Sequence, residues 1–540
     1  MIDGKPVLIR GGLVYDGSPG APRACDVLIR GDRIVKVAPG ISEPAAHEVD
    51  ARGCVVCPGF VDIHRHLDAR PFADWRGEAE LRQGITTAVA GNCGFSLAPM
   101  GALTDQLRAH LEPILGMLPE AVPAGFPGYL RALDAAEKPI NLAAMVGTGS
   151  VRIAVKGFAA GSWAPEEMAR AQAMIEEALD AGACGVSLGI MYVPECYAGR
   201  EEFARLLRPL GERGGVCAVH IRGEGDSLVA SVREAVDIAQ LAGCALHISH
   251  FKSCGVDNWR REIHRAIDVI NAARGAGLDL TCDFYPYTGG STALTTMLPP
   301  DYIAGDLAGA LRRLGTERGV AGFRDSISRL YPGWDNFALT LGWERIIISS
   351  VRHAHNRQYL GMTVADAASR FGFPDAAALA AHLMHDEAGA TAIINMSMCQ
   401  DDVDTVAGLP YAMVVSDAIY AQTDTPHPRM FGAQPRILRE YVRERGVLSM
   451  QQAIHKMTAM PARRMGLAGR GELKEGFFAD VLVFDPAQFR DNAVFGDSAR
   501  PATGLQWAFV NGVPAVRDDA LLAQGAGRLL RRRYTQSERV

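Results

Sequence analysis

The chain predicts an α/β fold: a (β/α)₈ TIM-like barrel, a small β-sandwich domain built from both chain ends, and a long insertion between barrel strands seven and eight. Three observations predict it. Eight short apolar runs alternate with helical patterns through the middle of the 540 residues. Short strand patterns cornered by Gly and Pro occupy both ends. Metal-ligand side chains recur where the apolar runs stop. A chain of this length exceeds one small core, so a large domain with an accessory domain is the natural arrangement.

At the N-terminus the strand patterns are Val7–Tyr15, Val27–Ile29, Arg33–Val37 and Cys54–Val56. The C-terminus answers with Ala479–Phe484 and Trp507–Val510, followed by Asn511-Gly512, a hairpin turn signal. Neither end carries enough apolar surface to stand alone. Residues 1–57 and 469–540 are therefore expected to pair into one β domain, with the barrel of residues 58–468 inserted between them. The Arg-rich end (Arg528, Arg531, Arg532, Arg533) reads as a solvated tail.

The expected barrel strands are Gly59–Ile63, Thr86–Ala90, Leu142–Val146, Gly185–Leu188, Val216–Val219, Ala245–Ile248, Leu278–Phe284 and Tyr411–Val415. Helical stretches separate them, among them Pro165–Ala181, Glu201–Gly211, Gly225–Leu241 and Trp259–Ala276. Residues 289–410 are too long for a simple connection and hold helical runs and an apolar strand, Ile346–Ser349. An insertion of that length at the catalytic face of a barrel builds a lid or pocket wall.

Composition removes several function classes. A net charge of −6 leaves no broad basic surface for nucleic acid or membrane. Met1–Val14 is broken by Asp3, Lys5 and Arg10, so it has no signal-peptide core, and no run is long enough to span a bilayer. An odd eleven scattered cysteines suit a reducing cytoplasm better than a disulfide framework. Cys54 and Cys57 form a C-x-x-C without a second pair and read as buried structural thiols.

The chemistry gathers at strand ends, where barrels of this kind carry catalytic residues. Strand one ends in His64 and His66; at strand spacing both imidazoles face the same way, a half-site for a divalent metal. Strand two runs into Gly91-Asn92-Cys93-Gly94. Strand five ends at His220, strand six at His250, and strand eight at Asp417. A lone histidine is usually a satisfied core residue. This many ligand types at one end of one barrel point to a metal site. Arg65, between the two histidines, alternates away from it. His353 and His355 make a second H-x-H inside the insertion; belonging to no barrel strand, they are expected to serve as a loop or a substrate contact.

With these residues in place, the chain resembles the amidohydrolase superfamily, and within it the N-acyl-D-amino-acid deacylase (D-aminoacylase) family. Pro58–His66, the Gly91-Asn92-Cys93-Gly94 turn, His220, His250, Asp417 and His427-Pro428-Arg429 carry the resemblance, with Gly471-Glu472-Leu473, Gly476 and Ala479-Asp480 at the return into the β domain. Hydantoinase-like relatives use a carboxylated lysine from strand four, and Cys184–Ile190 has none. The resemblance implies that Cys93 replaces it as a thiolate, with His220 and His250, at a tight metal site. His64, His66 and Asp417 would outline a second, weaker one. Thiolate with imidazole favours zinc. Deaminases share much of the pattern but usually carry a Glu three residues after the strand-five histidine. Here that place is Gly223, and Glu224 stands one further on.

The implied activity is zinc-dependent hydrolysis of N-acyl-D-amino acids to a carboxylic acid and a D-amino acid. Asp417 would take and return the proton. The expected substrate is a small molecule with an amide and a carboxylate. Lys252 and Arg429 lie where they could bind that carboxylate. The resemblance adds Tyr192, Tyr285 and Ser291 as partners of the carboxylate or the scissile carbonyl. Rival readings are cyclic-amide, carbamate or lactone hydrolysis on the same site, or a metal-free assembly-forming relative. The sequence leaves oligomeric state open.

Overall fold

The computed structural model describes residues 6–100, 105–121, 125–331, 333–420, 423, 425–522 and 525–534. Met1–Lys5, at the start of the stretch judged for a leader, lie outside them.

All eight barrel strands form. They are Phe60–Asp62, Ile85–Ala90, Asn141–Ala144 continued by Val146–Gly147, Val186–Gly189, Val216–His220, Ala245–Ile248, Leu280–Phe284 and Ala412–Val414. Every neighbouring pair is parallel. The third strand breaks at Met145, whose N–H donates back to Ala90 while the next N–H, of Val146, donates onward to Gly185. The ring closes where Arg65 bridges Ala418 in parallel, with His66 N–H on the Ala418 carbonyl and Asp417 N–H on the His64 carbonyl, both at 2.9 Å.

Strand periodicity explains why this closed ring is stable. Val61, Val89, Ala143, Ala218, Met413 and Val415 pack in the barrel interior. Their neighbours Phe60, Ala88, Leu142, Cys217 and Val414 face outward into the core shared with the helices. Successive side chains point to opposite faces, and both faces are covered, so the strands are apolar throughout. The helix Pro165–Ala181 shows the usual end signals, Glu166 and Glu167 in its first turn and Gly182, left-handed at φ 107°, at its end.

The two chain ends join in one continuous nine-stranded sheet. Val55–Pro58 is the seam, parallel to Val7–Val14 on one side and antiparallel to Val481–Phe484 on the other. Val27, Val49, Val56, Val481 and Phe509 share one core across that seam. Asn511 and Gly512 both take positive φ, 49° and 78°, and close the hairpin from Leu505–Val510 to Val513–Arg517. Cys54 and Cys57 are buried, and all eleven cysteines are free thiols.

The insertion has its own core of Leu294, Ile346, Ile348, Leu379, Leu383 and Ile393. Its strands Gly290–Ala293, Ala392–Asn395 and Ile346–Ser350 form an antiparallel sheet with the second in the middle.

One expectation fails. The Arg-rich end is not a solvated tail. Leu529 bridges Leu142, Arg528 and Arg531 pair with Asp32 and Asp134 at 2.6 and 3.1 Å, and the Tyr534 hydroxyl donates to the Ala183 carbonyl at 2.9 Å. Those partners are distant in sequence, so the arginines look free until the chain is folded. Among the described residues no helix is long and apolar enough to cross a membrane.

Candidate metal centre

The strand ends deliver His64, His66, Cys93, His220, His250 and Asp417 to one buried cluster. Cys93 Sγ lies 3.3 Å from His64 Nε2 and 3.4 Å from His250 Nε2. Asp417 Oδ1 lies 3.4 Å from Nε2 of both His64 and His66. His220 Nε2 lies 3.2 Å from Met191 Sδ and 4.0 Å from Glu224 Oε1. Three overlapping groups hold their donor atoms within 4.8 Å of one another: His64, Cys93 and His250; His64, His66 and Asp417; His220, Glu224 and His250.

The backbone is strained to achieve this. Cys93, His250 and Asp417 take φ of 54°, 35° and 51°, a region costing a non-glycine residue roughly 1–3 kcal/mol. Three such residues converging on one cluster mark a functional site.

Two acids absent from the expected set orient it. Asp283, at the end of strand seven, lies 3.4 Å from His64 Nδ1 and 2.8 Å from His247 Nε2, and accepts from the His250 amide. Glu224 lies 2.9 Å from His250 Nδ1 and 2.6 Å from Lys252 Nζ. Asp283 sits in the Asp-Phe-Tyr-Pro run, and a carboxylate ending a barrel strand was the available signal. Glu224 does reach the cluster, but Lys252 holds it there as an ion pair.

Charge in the cluster is balanced internally. Burial opposes a Cys93 thiolate, yet the charges of His64 and His250 hold the thiol well below its usual range. Burial likewise opposes charge on His64, but Cys93, Asp417 and Asp283 raise it well above the ordinary imidazole value. His250 is pushed to about 9, with burial and Lys252 opposing and Glu224 and Cys93 prevailing. Asp417 is held well below the carboxylate range, against burial, by Arg429 and His64. Buried anionic S and O donors here need positive charge between them. A divalent cation would supply that charge, and the buried sulfur, imidazole and carboxylate donors within 4.8 Å of one another fit a metal of the thiolate- and imidazole-binding kind.

A cleft opens on the cluster, lined by Tyr192, Lys252, Tyr285 and Ser291, with Phe95, Ile114, Met191, Phe337 and Ile419 as apolar wall. Ser291, Thr292, Phe337 and Asn395 come from the insertion, which is thus a pocket wall. Lys252 is less available than its position suggests. Its ammonium lies 2.6 Å from both Glu224 Oε1 and His250 Nδ1 and donates to the His250 carbonyl at 2.9 Å. Arg429 is buried just behind the wall. Its guanidinium lies 4.5 Å from the Tyr285 ring centroid, with Nη1 2.8 Å from Asp417 Oδ2 and Nη2 donating to the Ser291 carbonyl at 3.4 Å. Nε and Nη1 make no aligned hydrogen bond, so donor capacity remains.

Arg65 does turn away from the cluster. It is fully buried between strands one and eight, bonded to Glu80 (3.0 Å), the Tyr420 hydroxyl (2.9 Å) and Ser416 (3.1 Å). His353 and His355 sit in a short turn of the insertion and do not line the cleft.

A model of the amidohydrolase family matches residues 47–223 and 377–516. The chain is 35% identical over 538 residues to D-aminoacylase of Alcaligenes xylosoxydans xylosoxydans, covering 98% of this chain and 99% of that protein. A solved D-aminoacylase studied for its binuclear metal centre superimposes with a TM-score of 0.82 at 31% identity, over 97% of this chain and 99% of the other. N-acyl-D-glutamate deacylase from Bordetella bronchiseptica, solved with zinc and a phosphonate mimic of the tetrahedral intermediate, gives a TM-score of 0.82 at 32% identity over the same 97% and 99%.

Proposed function

The chain belongs to the amidohydrolase family, and on that premise we propose that it is a zinc-dependent deacylase of N-acyl-D-amino acids, releasing a carboxylic acid and a D-amino acid. The observation that carries this reading is the Cys93 sulfur set within 3.4 Å of His64 and His250, in a barrel whose fourth strand offers no lysine. Relatives above 30% identity over nearly the whole chain include D-aminoacylase, N-acyl-D-glutamate deacylase and N-acyl-D-aspartate deacylase.

Cys93, His220 and His250 would hold the tighter zinc, and His64, His66 and Asp417 a weaker one. When bound, zinc lowers the pKa of water from ~16 toward ~7 and polarises a carbonyl oxygen. The protein's own groups supply the rest. Asp417 is a carboxylate at neutral pH, so it can accept the proton of the water that attacks the amide carbon. It returns that proton to the nitrogen as the C–N bond breaks, giving a neutral amine as leaving group. Asp283 and Glu224 fix the rings of His64 and His250 from behind. Arg429, with donors to spare, binds the substrate carboxylate together with Ser291 and Tyr285. Tyr192, whose hydroxyl lies 3.4 Å from His220 Nδ1, can turn that hydroxyl toward the scissile carbonyl. Lys252 serves chiefly to hold Glu224.

The test offers N-acetyl-D-amino acids, hydantoins and dihydroorotate to the zinc-loaded protein in parallel. The linear D-amides are expected to be cleaved by far the fastest. Rapid turnover of a cyclic amide with the N-acetyl-D-amino acids untouched would move the protein to a different amidohydrolase reaction.

A further inference from the structure

The second H-x-H, outside the catalytic cleft, has its own acids. We propose that His353, His355 and Asp386 form a separate site for a divalent transition metal on the insertion.

His353 and His355 flank Ala354 at the start of a short turn, and their rings stack at 5.4 Å and 9°. Asp386 is the last residue of the helix Ala376–Asp386, which packs across from that turn. His355 Nε2 lies 2.6 Å from Asp386 Oδ2, and His353 Nδ1 lies 3.8 Å from the same oxygen. The three donor atoms fall within 4.8 Å of one another. Donors around one ion at ~2.0–2.2 Å sit at most ~4.4 Å apart, so small side-chain movements complete a site.

Charge gives an independent reason. Asp386 is followed by Glu387, a fully buried acid. Glu387 accepts from the backbone N–H groups of Arg352 and His353 at 2.5 and 3.1 Å, and from Asn356 at 2.5 Å. The ion pairs of both acids run to imidazoles, His353 and His355. Among the described residues, these two adjacent carboxylates have no lysine or arginine in ion-pair contact. Beside them Asn356, itself buried, has an amide oxygen without a hydrogen-bond partner while its nitrogen serves both acids. With a cation between the acids, that amide can turn and offer its oxygen as a further ligand.

Two imidazoles and a carboxylate select zinc, nickel, cobalt or copper over magnesium or calcium. The histidines are exposed, which leaves other coordination positions to water. Such an ion would fasten the turn to the helix end. Arg352, in the same turn, reaches Glu112 at 3.0 Å, on the helix Asp105–Leu115 that carries Ile114 into the catalytic cleft. A bound ion would thus stiffen one wall of the cleft from outside.

The experiment uses the full chain with its catalytic metal in place. Wild type, His355→Ala and Asp386→Asn are dialysed against the same series of free zinc concentrations, and zinc per chain is measured by mass spectrometry. Each variant is expected to bind one zinc fewer at saturation, with kcat in its as-purified state unchanged. Added zinc should raise the Tm of wild type by several degrees more than that of either variant. Equal zinc uptake by wild type and both variants would overturn the proposal, whatever the outcome of the deacylase assay.

Discussion

Removing Arg429 tests substrate binding and proton transfer together, because the guanidinium proposed to hold the substrate carboxylate also pairs with Asp417. Its Nη1 is 2.8 Å from Asp417 Oδ2, while Nε makes no hydrogen bond and keeps a donor for the proposed substrate carboxylate. Loss of a hydrogen bond to a charged group costs ~1.5–3 kcal/mol, or ~10- to 150-fold in kcat/KM. That part should fall only on substrates bearing the carboxylate. A second part, loss of the buried partner of Asp417, should lower kcat for every substrate. Position alone would have assigned the whole effect to KM; the contact with Asp417 adds the kcat component. The assay measures kcat/KM for an N-acetyl-D-amino acid and its carboxamide with wild type, Arg429→Lys and Arg429→Ala. Alanine should penalise the acid ~10- to 150-fold more than the amide. Lysine, which keeps the charge but loses the planar fork, should fall between. Equal loss on acid and amide would refute the clamp.

The other expectations follow from the same contacts. Asp417→Asn should keep its zinc, as judged by mass spectrometry, yet lose ~10²-fold or more in kcat, because an amide cannot take the proton. Arg65→Ala leaves the buried carboxylates of Glu80 and Asp62 without their cation. It should cost ~3–5 kcal/mol in urea unfolding, against no more than a fraction of that for an exposed arginine such as Arg208. Lys252 at the cleft and Arg429 behind its wall are already paired with Glu224 and Asp417, and the wall carries Phe95, Ile114, Phe337 and Ile419. N-acetyl-D-leucine or N-acetyl-D-phenylalanine should therefore exceed N-acetyl-D-glutamate in kcat/KM by ~10-fold or more, about the worth of one charged hydrogen bond; the reverse order would mean a cation is released on binding.

Much of this molecule was legible before it was folded, for physical reasons. Barrel strands buried on both faces read as unbroken apolar runs, so Ala245–Ile248 was placed without error and the others to within a residue or two. The ligand residues stood out because histidine, cysteine and aspartate are unusual where such runs end. Strand His47–Asp50 was missed because it pairs with Val7–Val14 through backbone bonds while carrying mostly polar side chains. Gly290–Ala293, Gly-Ser-Thr-Ala, was missed because it has no apolar run to mark it, and its partner Ala392–Asn395 was missed with it. Asp283 and Glu224 act through distances to histidines on other strands, and no local pattern encodes those distances. The docked tail has the same explanation: Arg531 finds Asp134 almost four hundred residues away.

The most direct measurement is of initial rates on N-acetyl-D- and N-acetyl-L-amino acids for wild type and Cys93→Ala, each as purified, stripped by a chelator, and returned to zinc. Wild type should cleave the D-isomer, lose that activity on stripping and regain it with zinc, leaving the L-isomer nearly untouched, while Cys93→Ala should neither hold tight zinc nor recover. Full activity in the stripped protein, or equal rates on both isomers, would contradict the proposed function.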